Sequence, residues 1–243
     1  MITSLQNEKV KNWVKLKEKK YRDETGQYLI EGDHLLQEAL KANTVLEILS
    51  LEPIENCSLP NFIVTKEILK HLSCQVTPPN VIAVCLKNKE QAISGAVLIL
   101  DGLQDPGNLG TLIRSAVAFD VKTILASPDT VDYYNPKVIR STEGMHFYVN
   151  LIRQDLQATL PKLQEEGYTI YSTNVLTGKH LKDVVFPQKS AFIIGNEGNG
   201  VRPEIADLAT ETIYIPMNKN CESLNASVSG SIIMYEYKKV QSP

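Results

Sequence analysis

Apolar residues recur along this chain in two rhythms. Short apolar runs of strand type alternate with stretches whose apolar positions return every three or four residues. Val10, Trp13 and Val14 mark a first helix against lysines at 11, 15 and 19, and Tyr28-Leu29-Ile30 reads as a short strand. After Gly32, residues Leu35, Leu36, Ala39 and Leu40 form a second amphipathic helix. Strands are predicted over 45–51, 62–64 and 81–86, with a helix over 66–72. A polar stretch from Lys87 to Ser94 reads as a linker. Beyond it, strands near 96–101, 121–126, 147–152, 168–173, 191–194 and 212–216 alternate with helices near 108–119, 136–142, 154–166, 202–209 and 223–239. The pattern predicts two α/β domains, 1–88 and 95–243, the second built on a mostly parallel sheet covered on both faces.

Composition narrows the class without naming it. With 243 residues, 43% hydrophobic and 22% charged, the chain has ordinary globular character and length for one large or two modest domains. The net charge of −3 is unevenly spread, because residues 1–22 carry seven Lys/Arg against Glu8 and Glu18. That segment is either a phosphate-binding patch or the solvated face of a first helix. Cys57, Cys74, Cys85 and Cys221 form no C-x-x-C pair and the four histidines stand singly, so no metal site is expected. The start is polar and basic and no apolar run approaches a membrane span, which predicts a cytoplasmic protein with reduced thiols.

Three segments carry candidate chemistry. The run Ile193 to Gly200 delivers a buried-type strand into a loop with three glycines around Glu197, a place where backbone can approach a ligand closely. The run Leu98 to Gly110 breaks at a Gly/Pro turn before a helix whose Leu109, Leu112, Ile113, Ala116 and Val117 form one face. Asn108 is a candidate N-cap of that helix. Arg114 lies outside the apolar stripe, about 9 Å along the axis from Asn108; it is either a solvated arginine or one whose guanidinium reaches back toward the loop. The third segment is the strand-like Ile213 to Met217, followed by a polar turn and a helix in which Leu224, Val228, Ile232 and Tyr235 recur at helical spacing. Gly230 inside that helix, which costs about 1 kcal/mol relative to Ala, predicts a neighbour packed very close.

Taken together, N-L-G-x-x-x-R at 108–114, G-N-E-G-x-G at 195–200 and I-P-M-x6-S-L-N-x-S at 215–227 resemble, in order and spacing, the signature motifs of the SpoU/TrmH-type RNA ribose 2′-O-methyltransferases of the SPOUT superfamily. The resemblance spans residues 96–239. It implies an L30e-like, RNA-binding α/β domain in front of a SPOUT α/β domain with a C-terminal trefoil knot, a topology that no periodicity reveals. It implies S-adenosylmethionine as cofactor, contacted by Gly195, Ile215 and Leu224, with Gly200 and Met217 shaping the wall. Asn108, Arg114, Glu197, Ser223 and Asn225 would surround the reacting ribose, Arg114 being central and supplied across a homodimer. A guanidinium rarely gives up its proton, so stabilising an incipient alkoxide suits it better than general-base work. Glu197 either orients Arg114 or the ribose, or caps loop amides; Ser223 and Asn225 either serve the site, cap the last helix, or do both. The implied substrate is ribosomal RNA of the 23S type.

Other classes fit less well. A catalytically silent RNA-binding or ribosome-assembly protein of the same fold, or a tRNA-directed methyltransferase, shares these motifs. A Rossmann-type enzyme would need G-x-G-x-x-G after its first strand, which Gly102, Gly107 and Gly110 do not make. Ser223 sits in no G-x-S-x-G elbow, which argues against acyl transfer.

Overall fold

The computed structural model describes residues 1–55 and 57–241. The chain forms two compact units, one of residues 1–89 with 132–147, the other of 90–131 with the remainder from 148.

In the first unit, α1 (Glu8–Lys15) and α2 (Lys19–Thr25) precede β1 (Gln27–Glu31), α3 (Asp33–Lys41), β2 (Val45–Ser50), β3 (Asn61–Ile63), α4 (Lys66–Leu72) and β4 (Val81–Leu86). The strands form a mixed sheet in the order β1-β4-β2-β3, with β4 antiparallel to β1 and β2 and β3 parallel to β2. Val10, Trp13, Leu49, Ile68, Leu72 and Ile82 fill one core. Trp13 is buried there without orphaning its indole, because Nε1 donates to Glu47 Oε2 at 2.7 Å.

The expected first helix is two. Arg22 is almost fully buried, and its Nη1 donates to the carbonyls of Leu16 and Lys17 at 3.0 and 2.7 Å, taking up the oxygens that a continuous helix would have used. Its Nη2 pairs with Asp132 Oδ2 at 2.7 Å, so the buried charge is compensated.

His146 in the same unit is wholly buried between Tyr28 and Thr142. The Thr142 hydroxyl donates to the Ile139 carbonyl at 2.7 Å, so it must accept from His146 Nδ1 at 2.8 Å. Nε2 is then the acceptor of the Tyr28 hydroxyl at 2.8 Å, and the ring is the neutral Nδ1–H tautomer. Burial pushes its pKa down to about 3.

The second unit holds β5 (Ala96–Leu100), α5 (Pro106–Ala118), β6 (Val121–Ala126), β7 (Asn150–Arg153), α7 (Leu156–Glu165), β8 (Thr169–Asn174), β9 (Lys179–His180), β10 (Ser190–Ile194), α8 (Pro203–Ala206), β11 (Glu211–Tyr214) and α9 (Ala226–Gln241). The remaining helix, α6 (Pro136–Ser141), lies in the first unit. The sheet is wholly parallel, in the order β7-β6-β5-β10-β8-β11-β9. β5 and β10 are buried at every residue, as strands covered on both faces must be. Val97, Ile99, Ile193, Leu156 and Leu160 pack on one face with α7, while α5 and α9 cover the other. The chain runs outward from β5 to β6 and β7 on one side, and β10 borders β5 on the other. The carboxyl ends of β5 and β10 therefore flank the crevice where open α/β sheets bind ligands.

Several boundaries shift. The strand expected from 147 starts at 150, after a 3-10 turn at Met145–Tyr148, and the helix expected over 202–209 is a single turn. Asn108 is not the N-cap of α5: Asp105 is, its Oδ1 accepting from the Asn108 amide at 2.8 Å, with Pro106 next in line. The periodic stripe of α9 points outward, since Val228 and Tyr235 are exposed whereas Ser227, Gly230, Ile233, Met234 and Tyr237 are buried. Gly230 has the close neighbours its position predicts, because a Cβ there would lie 2.5 Å from Leu112 Cδ2 and 3.3 Å from Ile194 Cγ1.

The histidine gives a pH test. Its folded pKa of about 3 lies below the ordinary 6.5, so the unfolded chain binds the extra proton between those values. The stability it contributes is complete above 6.5 and lost progressively toward 3. Chemical denaturation of His146→Phe is expected to give a lower midpoint than wild type at pH 7 and a shallower loss of stability between pH 6.5 and 4. Parallel pH profiles for the two proteins would refute this.

Candidate active site

Two loops and the entry to α9 meet in the second unit. The buried run of β5 ends in Asp101, and Gly102 at φ 70 turns the chain toward Asp105 and α5. The run of β10 ends in Gly195, and the following loop closes on itself: Asn196 N donates to Gly200 O and Gly200 N to Asn196 O, both at 2.9 Å. Asn196 Oδ1 accepts from the amides of Gly198 and Asn199, and its Nδ2 donates to the Gly102 carbonyl at 2.9 Å. A Cβ at Gly195 would overlap the backbone of Gly200 and Val201, so this loop closes only around a glycine. Gly200 supplies the left-handed φ of 70.

Glu197 reaches from this loop to the other. Its Oε1 accepts from the Asp105 amide at 2.9 Å and from Asn108 Nδ2 at 3.0 Å, and Oε2 accepts from the Gln104 amide at 3.1 Å. Burial alone would raise its carboxyl pKa, but the Asn108 amide and the backbone N–H groups outweigh that and hold it below the ordinary carboxylate value. Asn108 Oδ1 in turn accepts from Asn225 Nδ2 at 2.9 Å. Asn225 Oδ1 accepts from the amides of Ser227 and Val228, so Asn225 caps α9 while its Nδ2 holds Asn108. Ser223 precedes the helix and is exposed on the pocket wall.

These elements enclose a cavity of about 510 Å³, within the range of roughly 300–1,000 Å³ usual for small-molecule sites. All five residues expected to hold a cofactor line it: Gly195, Gly200, Ile215, Met217 and Leu224. Glu197, Ser223 and Asn225 line it too, and Asn108 joins them through its bonds to Glu197 and Asn225. Arg114 stands apart. It is exposed on α5, outside the lining, and makes no hydrogen bond or ion pair among the described residues. Its guanidinium does not reach back to the loop within one chain, and the partners of Glu197 are amides of the neighbouring loop.

Sequence reading overlooked a second clamp. Asp101 is buried, and its carboxylate accepts from the Arg202 amide and from Nε, both at 2.8 Å, with Nη2 closing the fork. The hydrogen bonds from Asp101 raise the Arg202 pKa further. This pair fastens the chain just past the glycine loop to the end of β5. Its one sequence signal was an acidic residue directly after five apolar positions.

A crevice at the carboxyl ends of parallel strands, walled by glycine-loop backbone and headed by a carboxylate–amide network, defines a binding site for a nucleotide-sized ligand on an α/β enzyme scaffold. Comparison with known proteins narrows this. Residues 95–235 match the SpoU rRNA Methylase family and residues 7–83 match the MRM3-like substrate binding domain. The chain is 34% identical to the 23S rRNA (guanosine(2553)-2'-O)-methyltransferase RlmP of Bacillus subtilis, over 98% of each chain. A Porphyromonas gingivalis protein of the TrmH family superposes with a TM-score of 0.88 at 27% identity, covering 100% of both chains. The AdoMet-bound rRNA methyltransferase of Sinorhizobium meliloti shares the fold, with a TM-score of 0.89 at 23% identity over 100% of this chain and 98% of that one. The chain belongs to the SpoU rRNA methylase family.

Three substitutions probe the geometry. Gly195→Ala must push the loop open, so calorimetry should show ligand affinity in this cavity lost and the thermal midpoint lowered; an unaltered affinity would contradict the close approach. In Asp101→Asn an amide N–H would face the Arg202 donors, and the expected loss is about 1–3 kcal/mol in a denaturant titration. Arg202→Lys, which keeps the backbone bond to Asp101, should lose less. Equal losses would mean that the backbone bond contributes nothing; no loss in Arg202→Lys would mean that the guanidinium fork does not.

Proposed function

We propose that this protein transfers the methyl group of S-adenosylmethionine to a ribose 2′-hydroxyl of ribosomal RNA of the 23S type. The observation that carries the reading is the convergence of all three motif segments on one cavity, joined by the bonds Asn225 to Asn108 to Glu197. The cavity fits the cofactor: its volume suits a nucleoside-sized ligand, and the Gly195 cradle, where a Cβ would collide, lets main chain approach it. Gly195, Ile215 and Leu224 would hold it through backbone, with Gly200 and Met217 forming the wall. When bound, the cofactor supplies an electrophilic methyl group for in-line displacement.

The chain's own residues supply alignment and charge. Ser223 and Asn225, at the pocket mouth, position the ribose. Asn108 is fixed by Glu197 and cannot rotate away. Arg114 remains protonated and stabilises the charge on the 2′-oxygen as its proton passes to solvent, a role that electrostatics favours over proton abstraction. The C–O bond forms as the C–S bond would break to release the thioether. Arg114 comes to the pocket from a second copy of the chain. The reading is supported by its exposed, unpaired position and by the outer face of α9, where Val228 and Tyr235, seven residues apart, are 45% and 53% exposed. The C-terminal segment forms the family's trefoil knot, the first unit is an L30e-like RNA-binding domain, and the protein works in the cytoplasm. No helix among the described residues is long and apolar enough to cross a membrane.

Mapping 2′-O-methylated nucleotides in total RNA from cells with and without the gene tests the activity. One mark in large-subunit ribosomal RNA should vanish; loss of a tRNA mark would reassign the substrate, and no change would favour a silent RNA-binding protein. For the dimer, mixing Arg114→Ala with Gly195→Ala protomers should restore part of the activity that each lacks alone. Absence of any rescue would argue against a shared site.

A further inference from the structure

We infer that a second RNA contact lies wholly within the first unit: a phosphate-binding edge formed by Lys17 after α1, the turn following α4, and α6, centred on Lys17 and Arg140. The inference rests on the RNA-directed reading above and specifies where, away from the methyl-transfer pocket, the substrate backbone is held.

The basic run at 1–22 is mostly neutralised on folding. Lys9 pairs with Glu47 at 3.3 Å, Lys19 with Asp23 at 2.6 Å and Lys20 with Glu24 at 3.9 Å, while Arg22 is buried against Asp132. Lys15 and Lys17 donate to neutral oxygens instead, Asn12 Oδ1 at 3.2 Å and the His71 carbonyl at 3.1 Å, and it is Lys17 that lies against the end of α4 with its charge uncancelled. Arg140 comes from a distant part of the sequence and is exposed, with no hydrogen bond or ion pair to its guanidinium among the described residues. Both side chains act on the Cys74 thiol: burial raises its pKa, and the charges of Lys17, Arg22 and Arg140 oppose that rise. Cations from the α1–α2 junction and from α6 thus act on one point.

Around that point is a cavity of about 130 Å³, lined by Arg140, Lys137, Cys74, Gln75 and Glu31 with an apolar floor. It falls well below the roughly 300–1,000 Å³ of ordinary ligand sites, so it suits one phosphate or one ring rather than a whole cofactor. The single acid in its lining, Glu31, opposes the cations, since its charge raises the Cys74 pKa that they lower, but its oxygens are held by neighbouring donors. Glu31 accepts from the Cys74 amide at 2.9 Å, from Ser73 Oγ at 2.5 Å and from Gln75 Nε2 at 3.1 Å. A chain of net charge −3 binds a polyanion only through such local concentrations of positive charge.

The test uses the full chain and a large-subunit ribosomal RNA fragment that the wild type methylates. Binding is measured by fluorescence anisotropy across a salt series for wild type, Lys17→Ala/Arg140→Ala and, as a charge control, Lys162→Ala on α7. The double variant should bind more weakly and lower the salt slope by about 1.4–1.8, the equivalent of two phosphate contacts. Its affinity for S-adenosylmethionine in calorimetry should equal that of wild type, and Lys162→Ala should match wild type in both assays. RNA should also slow alkylation of Cys74, read by mass spectrometry, more than that of Cys57. Unchanged RNA affinity and slope in the double variant, with the wild type binding and methylating, would overturn this contact alone. A wild type that neither binds nor methylates RNA would overturn the functional reading as well.

Discussion

The ionised state of Glu197 fixes the polar head of the pocket. A carboxylate only accepts, so Asn108 must turn its Nδ2 toward it and present Oδ1 to Asn225. Asn225 then donates with Nδ2 and has Oδ1 left for the amides of Ser227 and Val228 and for the Ser227 hydroxyl at 2.6 Å. The ordering continues down the helix pair. Ser231 donates to the Ser227 carbonyl at 2.7 Å, which leaves Ser115 as the donor in its 2.7 Å contact with Ser231. One charge thereby selects the orientation of two amides and of the Ser227 hydroxyl, while the Ser227 carbonyl sets the direction of the Ser231 and Ser115 hydroxyls. Protonating Glu197 removes an acceptor from its centre and with it the reason for a single arrangement.

Close backbone approach is the second constraint, and glycine meets it for two different reasons. At Gly195 the obstacle is main chain, which cannot move without opening the loop. At Gly230 the obstacle is the end of the Leu112 side chain, which is buried and packed. Replacing Gly by Ala inside α9 would gain about 1 kcal/mol of helix propensity, against the roughly 1–3 kcal/mol typical of overpacking. The helix accepts weaker intrinsic propensity because α5 and β10 lie so near. Pocket and helix pair therefore share a design in which small residues let backbone elements touch.

Much of this was legible in the chain. Strands buried on both faces announce themselves as uninterrupted apolar runs, so β5 and β10 were predicted within a residue or two, and glycine spacing marked the loop after β10. What escaped depended on contacts between residues distant in sequence. The break between α1 and α2 is made by Arg22 turning back on two carbonyls, which no periodicity announces. Asp105 displaced Asn108 as the cap because the Pro at 106 starts the helix earlier, and that displacement is what frees the Asn108 side chain for Glu197. The apolar stripe of α9 was real but faced away from the core, since the buried face opens with Ser227 and Gly230, residues that a hydrophobicity pattern discounts, before Ile233, Met234 and Tyr237. The Asp101–Arg202 clamp spans 101 positions and offers only a lone acid at a strand end.

The distribution of charge closes the argument about how such a site acquires its chemistry. Within one chain the pocket has a carboxylate, amides and four hydroxyls, and its lining among the described residues includes no arginine or lysine. Groups of that kind orient a ligand but do little for negative charge growing on an attacking oxygen, for which a fixed cation in a water-poor setting is the effective device. Arg114 is on the same helix that carries Asn108 at its start, yet on the exposed face and beside α9, whose outer apolar residues lack cover. Covering Val228 and Tyr235 with a second copy would bury apolar surface at about 25 cal/mol per Å² and remove water from the neighbourhood of Arg114 in the same event. Under the proposed dimer, assembly and the supply of catalytic charge are one step: an isolated protomer can hold the cofactor with its charge-stabilising group still in solvent, and association brings that group to its partner's pocket.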